Sequence, residues 1–315
     1  MEKKGINRLF LIIILIHCLA SFLLSYLAAG FELGIVPNIL ISGLITLIPG
    51  LVYLFIYKLK KRNYNLQNEE TLPQRLQFRK IKISTIFMII LFTYMVMPLT
   101  TVINAISMLF VDNTVLQIST DVLNMPFVLM FFLIAMYAPF CEELIYRGII
   151  FGGYKRETNL RKAVLLSALL FGLMHMNFNQ AGYAFAIGIA LALIVEATGS
   201  LWASILCHLV FNAQSVCIMF LVSRFMPDFY KEASSMNNMT TDQLYLTIGV
   251  YLVIATFTTA IAVCILVWIA KNEGRLESLK CFFPSIEKSK GNIITISLIL
   301  GMLIAIAYMI LEVII

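Results

Sequence analysis

The chain has 315 residues, of which 61% are hydrophobic and 13% are charged, and its mean hydropathy is +0.92. An ordinary soluble domain carries about 25% charged residues, so this composition excludes a soluble globular protein and predicts an all-α, polytopic transmembrane bundle. The net charge of +6 is expected in the loops and gives no reason to expect nucleic acid binding.

Nine apolar runs are candidates for membrane spans, because about 20 helical residues cross the hydrocarbon layer. They are Leu9 to Ala29, Ile35 to Tyr57, Ile83 to Leu109, Phe127 to Tyr154, Ala163 to Phe178, Ala181 to Ala197, Leu201 to Leu221, Leu244 to Ala270 and Ile293 to Ile315. The fifth and sixth runs are short and the fourth is too long for one crossing. A count of eight, with a re-entrant or merged pair, therefore stays open beside the favoured nine. Pro139 is expected to kink the fourth run, because proline removes a helical hydrogen bond.

The basic residues predict the orientation of these spans. With a cytoplasmic N-terminus, 20 of the 23 Lys and Arg residues fall on the cytoplasmic side, whereas Arg224 and Lys231 fall outside and Arg147 lies within the membrane. This distribution satisfies the positive-inside rule for a nine-span protein with its C-terminus outside. We expect the protein to lie in a bacterial plasma membrane.

The fourth run places three ionisable residues, Glu142, Glu143 and Arg147, in an apolar neighbourhood. A charge at the bilayer centre costs roughly 2.5 to 3.5 kcal/mol on insertion scales, so these side chains need partners, a function or both. Glu143 and Arg147 are four residues apart and share a helix face. A buried ion pair that only fixes helix packing explains these two, but it leaves Glu142 unexplained.

Three further polar residues lie deep in later runs, namely His175, His208 and Asn212, and the last two are also four residues apart. Counted at about 1.5 Å per residue, Glu142 and His175 lie about 20 Å from the cytoplasmic boundary and His208 about 13 Å from it. Three helices therefore bring polar groups to a similar depth, which is typical of one shared site.

Other polar residues of the spans have simpler interpretations. His17 is expected to make an interhelical hydrogen bond, and Glu196 is expected at the inner boundary of the membrane. Cys141 and Cys207 flank the polar residues and are alternative nucleophiles, although we favour the interpretation that they are small apolar packing residues. The six cysteines have no CxxC spacing and are not expected to form disulfides.

In order along the chain, the clusters read Glu142-Glu143-x-x-x-Arg147, Phe171-x-x-x-His175 and His208-x-x-x-Asn212. They resemble the motifs EExxxR, FxxxH and HxxxN of the CPBP family, the intramembrane CAAX proteases and bacteriocin-processing enzymes also called the Abi family. The resemblance covers about Pro139 to Asn212. It divides the chain into N-terminal helices with a basic cytoplasmic loop (1–122), a catalytic core (123–222) and C-terminal helices (223–315).

The resemblance implies an intramembrane endopeptidase. Glu142 and His175 would activate a water molecule, Glu143 and Arg147 would orient Glu142, and His208 with Asn212 would stabilise the oxyanion. Glu142, His175 and His208 also form a possible three-ligand metal site of the kind that catalytic zinc uses. We slightly favour the metal-free mechanism, because no ligand pair has the spacing of known zinc helices.

The resemblance also implies a membrane-associated or lipid-linked peptide or protein as substrate. Removal of CAAX tripeptides, peptide maturation and self-immunity to bacteriocins are the roles that it suggests. Two other classes stay open: a non-catalytic immunity or scaffold protein of the same fold, and a proton-coupled transporter, for which Glu, Arg and His at mid-membrane are equally natural.

Overall fold

The computed structural model describes residues 2–28, 34–63, 71–114, 118–228, 230, 240–282 and 293–314. These residues form no strand, as the composition predicted. The helices are α1 (Glu2–Ala28), α2 (Ile35–Asn63), α3 (Leu72–Arg75), α4 (Ile83–Ser107), α5 (Ser119–Leu123), α6 (Phe127–Glu157), α7 (Leu160–Leu173), α8 (Phe178–Thr198), α9 (Leu201–Phe225), α10 (Thr241–Asn272), α11 (Leu276–Lys280) and α12 (Ile296–Ile314). Ala29 and Ile315, predicted as span ends, lie outside these residues.

Eight helices in the described part of the chain are long and apolar enough to cross a membrane: α1, α2, α4, α6, α8, α9, α10 and α12. The protein is therefore a multi-pass integral membrane protein. The fifth predicted run forms part of α7, which has 14 residues, about 21 Å of helix. That length is short of the ~30 Å hydrocarbon layer. The fourth run, predicted to be too long for one crossing, is one continuous helical stretch, α6.

Ion pairs gather at one end of the bundle, which we call the basic end. Glu196 at the end of α8 pairs with Lys155 of α6 and with Arg275, whose Nη2 lies 3.0 Å from it. Glu273, just after α10, accepts a hydrogen bond from Thr85 Oγ1 at 2.6 Å. The predicted clustering of cations on one side fits this arrangement. Lys288 and Lys290, predicted on this side, and Lys231, predicted on the opposite side, lie outside the described residues.

Uncharged polar side chains join the helices at the other end of the bundle. The buried Asn179, near the start of α8, donates to Asn104 Oδ1 at 2.9 Å and to Ser107 Oγ at 2.8 Å. Helix α8 therefore runs from this end to the basic end, and the polar residues of α6 and α9 lie between the two.

Helices α7 and α8 approach each other closely through a glycine on each. A Cβ atom built on Gly188 would lie 2.9 Å from Ala168 Cα, and one on Gly172 would lie 2.7 Å from the carbonyl oxygen of Ala181. Small residues are common where membrane helices pack backbone to backbone. This close contact carries the end of α7, and so His175, against α8.

Gly188→Ala is expected to lower the melting temperature of the detergent-solubilised protein, because its methyl group overlaps backbone atoms. Overpacking of this kind costs about 1 to 3 kcal/mol. Gly249→Ala is the matched control, since a Cβ atom there has no neighbour within 4 Å and alanine favours the helix. Equal melting temperatures for the two variants would contradict the close packing of α7 on α8.

Candidate active site

Pro139 lies in a short α-helical stretch of α6, Ala138–Glu143, between two π-helical segments, Phe131–Tyr137 and Leu144–Phe151. In the first segment the Ala138 N–H donates to the carbonyl of Leu133, five residues back. The next carbonyl, that of Ile134, would be paired with Pro139, which has no N–H. π-helical turns often accompany functional sites, and here Glu142 and Glu143 follow within one turn of the proline.

The Ile134 carbonyl is satisfied from a neighbouring helix. Asn212 Nδ2 of α9 donates to it at 2.9 Å. An unpaired carbonyl in the membrane interior is costly, so this bond ties α9 to α6 at the level of the proline. Asn212 has a second N–H, because a side-chain amide carries two donors.

Glu143 is the centre of a buried ionic cluster. Its Oε1 accepts from Arg147 Nη1 at 2.8 Å and lies 2.9 Å from His208 Nδ1. Glu143 and Arg147 are at most 1% exposed, and His208 is 6% exposed. A carboxylate can only accept, so Nδ1 of His208 carries a proton.

Glu142 lies on the other side of the same imidazole. Its Oε2 is 3.9 Å from His208 Nε2, and 17% of its side chain is exposed. The single ring of His208 therefore stands between two carboxylates, one held by a direct hydrogen bond and one slightly beyond hydrogen-bond distance. This arrangement leaves Glu142 as the more accessible acid of the cluster.

The ring of Phe171 packs against the basic members of the site. The Arg147 guanidinium carbon lies 4.1 Å from its centroid, within the range of a cation–π contact. His175 and His208 both meet the ring at nearly right angles, with centroids 5.1 and 5.8 Å away. The two histidines predicted from separate motifs therefore share one aromatic contact.

His175 lies just beyond the end of α7, in the non-helical segment that leads to α8. Its Nδ1 is 2.9 Å from the carbonyl oxygen of Phe171. Since a carbonyl only accepts, Nδ1 carries the proton and Nε2 of neutral His175 is a free acceptor. Met176, the next residue, has φ = 58°, an uncommon backbone conformation for a residue other than glycine.

The structure brings Glu142, Glu143, Arg147 and His208 into one ionic cluster, and His175 joins it through Phe171. Asn212 follows His208 by one turn of α9 and contacts the backbone of α6. In the described ranges, no three His, Cys, Asp or Glu side chains are grouped closely enough to hold a metal ion. The Glu142, His175 and His208 set does not fit a metal as positioned, and we derive no step through one.

The remaining polar candidates make no described hydrogen bond to the ionic cluster. His17 Nδ1 is 3.2 Å from the carbonyl of Ile13 on its own helix, instead of the predicted interhelical partner. Glu196 pairs with Lys155 and Arg275 at the basic end. Cys141 and Cys207 are buried free thiols, and Cys207 Sγ accepts from Thr93 Oγ1 at 3.1 Å.

Several contributing residues were not predicted from the sequence. Phe171 was used only as a motif position, although its ring links the basic groups. The carbonyl of Gly188 lies 3.4 Å from Arg147 Nη2, which no side-chain pattern indicates. Asn177 caps α8, with Oδ1 accepting from Gln180 N at 2.8 Å, and its position just before an apolar run is a recognisable N-cap signal.

The fold and the site together define a polytopic helical membrane protein with a buried carboxylate, arginine and histidine cluster. The family model described as type II CAAX prenyl endopeptidase Rce1-like matches residues 124–214. Over 84 residues the chain is 33% identical to "Putative membrane peptidase YdiL" of Bacillus subtilis (strain 168). The matched part covers 27% of this chain and 34% of that relative. No solved structure matches. The central segment is therefore similar to CAAX-type membrane peptidases, which agrees with the resemblance of its motifs.

Proposed function

We propose that this protein is an intramembrane endopeptidase that hydrolyses a peptide bond in a membrane-associated or lipid-linked peptide. The observation that carries the proposal is the imidazole of His208 between Glu143 and Glu142, at 2.9 and 3.9 Å. The ion pair of Glu143 and Arg147 is sufficient to fix the packing of the helices. The more exposed Glu142 is an acid that packing does not need, and it stands beside a histidine of fixed tautomer.

Glu142 acts as the general base. The 3.9 Å between Glu142 Oε2 and His208 Nε2 is short enough for one water molecule to reach both atoms. Glu142 takes a proton from this water, and the water oxygen bonds to the peptide carbonyl carbon. His175 presents Nε2 as a second acceptor, because its Nδ1 is held by the Phe171 carbonyl. Such positioned proton transfer contributes about 10² to 10⁴ in rate.

The oxyanion that forms is stabilised from α9. When both ring nitrogens of His208 are protonated, Nε2–H donates a hydrogen bond to the oxyanion, while Nδ1–H keeps its hydrogen bond to Glu143. The second N–H of Asn212 is a further donor, since the first is bonded to Ile134. Collapse of the intermediate breaks the C–N bond, and the proton held by Glu142 passes to the leaving amine. Hydrogen-bond donors that the fold holds in position before the oxyanion forms are the main source of such stabilisation.

In this protonation state the charges of the cluster cancel. Glu142 and Glu143 carry two negative charges, and Arg147 with a doubly protonated His208 carries two positive ones. A neutral sum suits a buried site, because an uncompensated charge in the bundle is expensive. The transporter alternative has no comparable support, and the scaffold alternative does not need the accessible Glu142.

The substrate side of the proposal rests on location. The site lies between the two ends of a bundle whose basic end we assign to the cytoplasm by the positive-inside rule. A substrate therefore enters from the membrane or from its cytoplasmic face. CAAX-type processing, peptide maturation and bacteriocin self-immunity are the roles compatible with such entry.

A substrate panel tests the proposal. Purified protein in liposomes is incubated with prenylated CAAX-type peptides and with hydrophobic leader peptides, and products are identified by mass spectrometry. We expect one class to be cut at a defined bond. A folded protein that cuts no peptide of either class would contradict the proposed activity.

A further inference from the structure

The non-helical segment between α7 and α8 holds His175 by its backbone as well as by its ring. Asn177 Nδ2 donates to the carbonyl oxygen of His175 at 3.0 Å. The same side chain accepts from Gln180 N at 2.8 Å and from Thr114 Oγ1 at 3.3 Å. Asn177 is 8% exposed, so this three-way contact is screened from solvent.

The geometry points to Asn177 as a positioning residue for His175. The inference rests on the proposed function, because it gives His175 a part in catalysis. Asn177 joins the histidine backbone to the first turn of α8 and to the segment after α4. The ring of His175 is fixed on its other side by the Phe171 carbonyl. Its Nε2 atom can therefore point in only a narrow range of directions.

The backbone of this segment explains why such a tie is needed. Met176, between His175 and Asn177, has φ = 58°, a conformation that ordinary residues disfavour. A segment with this backbone would relax if its two ends were not fixed. The contacts of Asn177 hold one end, and the close packing of α7 on α8 holds the other.

A matched pair of N-cap residues allows the positioning role to be separated from helix capping. Asn159 caps α7 in the same way, with its Oδ1 accepting from Lys162 N at 2.9 Å. Aspartate caps a helix about as well as asparagine. Asn177→Asp and Asn159→Asp therefore both keep the cap, but only Asn177→Asp removes the amide that donates to His175.

Asn177→Asp is expected to lower kcat by roughly 10- to 100-fold, because a misplacement of about 1 Å in a catalytic group costs about 10²-fold. KM should change by less than about twofold, since Asn177 does not bind the peptide. Asn159→Asp should leave both constants unchanged. Cleavage is measured on the peptide from the panel, with melting temperatures recorded for every variant.

Asn177→Ser provides a second measurement if the aspartate variant does not fold. Serine also caps a helix well but lacks the amide, so the same loss of kcat is expected. The inference is overturned if a folded Asn177 variant cleaves at the wild-type rate, or if Asn159→Asp loses as much activity. If Glu142→Gln also cleaves at the wild-type rate, the proposed function itself fails. Loss in Glu142→Gln with wild-type activity in Asn177→Asp overturns only the role of Asn177.

Discussion

Glu142→Gln is expected to reduce peptide cleavage by roughly 10²- to 10⁴-fold, the usual contribution of a general base. Glutamine has the same shape as glutamate but cannot take a proton from water. Glu142 makes no direct hydrogen bond within the described residues, and its contact with His208 is 3.9 Å long, so the fold should tolerate the change. Initial cleavage rates and melting temperatures in the same detergent provide the check.

Glu312→Gln is the matched control for this prediction. Glu312 is an exposed residue of α12 and has no contact with the site, so its amide variant should keep wild-type activity. Cleavage by Glu142→Gln within threefold of the wild-type rate would rule Glu142 out as the base. Cleavage would then have to depend on another group, of which His175 is the first candidate.

Arg147→Met is expected to destabilise the protein by about 3 to 5 kcal/mol, the cost of breaking a buried ion pair. The guanidinium bonds Glu143 Oε1 at 2.8 Å and lies over the Phe171 ring. Methionine fills similar space but leaves the Glu143 carboxylate with His208 as its remaining partner. The measurement is the free energy of unfolding in micelles, or the melting temperature where unfolding is irreversible.

Two comparisons make the Arg147 result specific. Arg79→Met removes a half-exposed arginine that lies 3.6 Å from the buried Glu273. Glu273 keeps its hydrogen bonds from Thr85 Oγ1 and the Lys82 N–H, so the loss is expected to be smaller, about 1 kcal/mol or less. The double variant Arg147→Met with Glu143→Gln should be more stable than Arg147→Met alone, because it removes the buried carboxylate that has lost its arginine. A single variant as stable as wild type would mean that Glu143 does not depend on Arg147.

The motifs indicate one shared site, but they do not show which of its residues contact each other. Adjacent helical residues point about 100° apart, so the sequence cannot say whether Glu142 or Glu143 faces α9. The structure gives Glu143 the direct bond to His208, a contact that the prediction did not include. The role of the Phe171 ring was also invisible, because a phenylalanine in a membrane helix has no distinguishing pattern.

The fold was predicted best where the length of an apolar run is enough to identify a membrane-spanning helix. Long apolar runs such as Leu244 to Ala270 became spanning helices because a membrane leaves the backbone few alternatives. The short fifth run was read as a span, although Asn177 at its end is an N-cap that starts a new helix. The π-helical segments of α6 could not be foreseen. In the first of them, the Ile134 carbonyl takes its hydrogen bond from Asn212 of α9, a contact that the local sequence does not show.

The carbonyl that Pro139 leaves without a backbone donor has a consequence for how α6 and α9 are aligned. Sliding α9 by one helical turn, about 5.4 Å, would withdraw Asn212 from Ile134 and leave that oxygen facing hydrocarbon. The hydrogen bond from Asn212 to Ile134 therefore fixes the position of α9 relative to α6 along the helix axis. Since His208 lies one turn from Asn212, the same hydrogen bond determines the depth at which the imidazole contacts the two carboxylates.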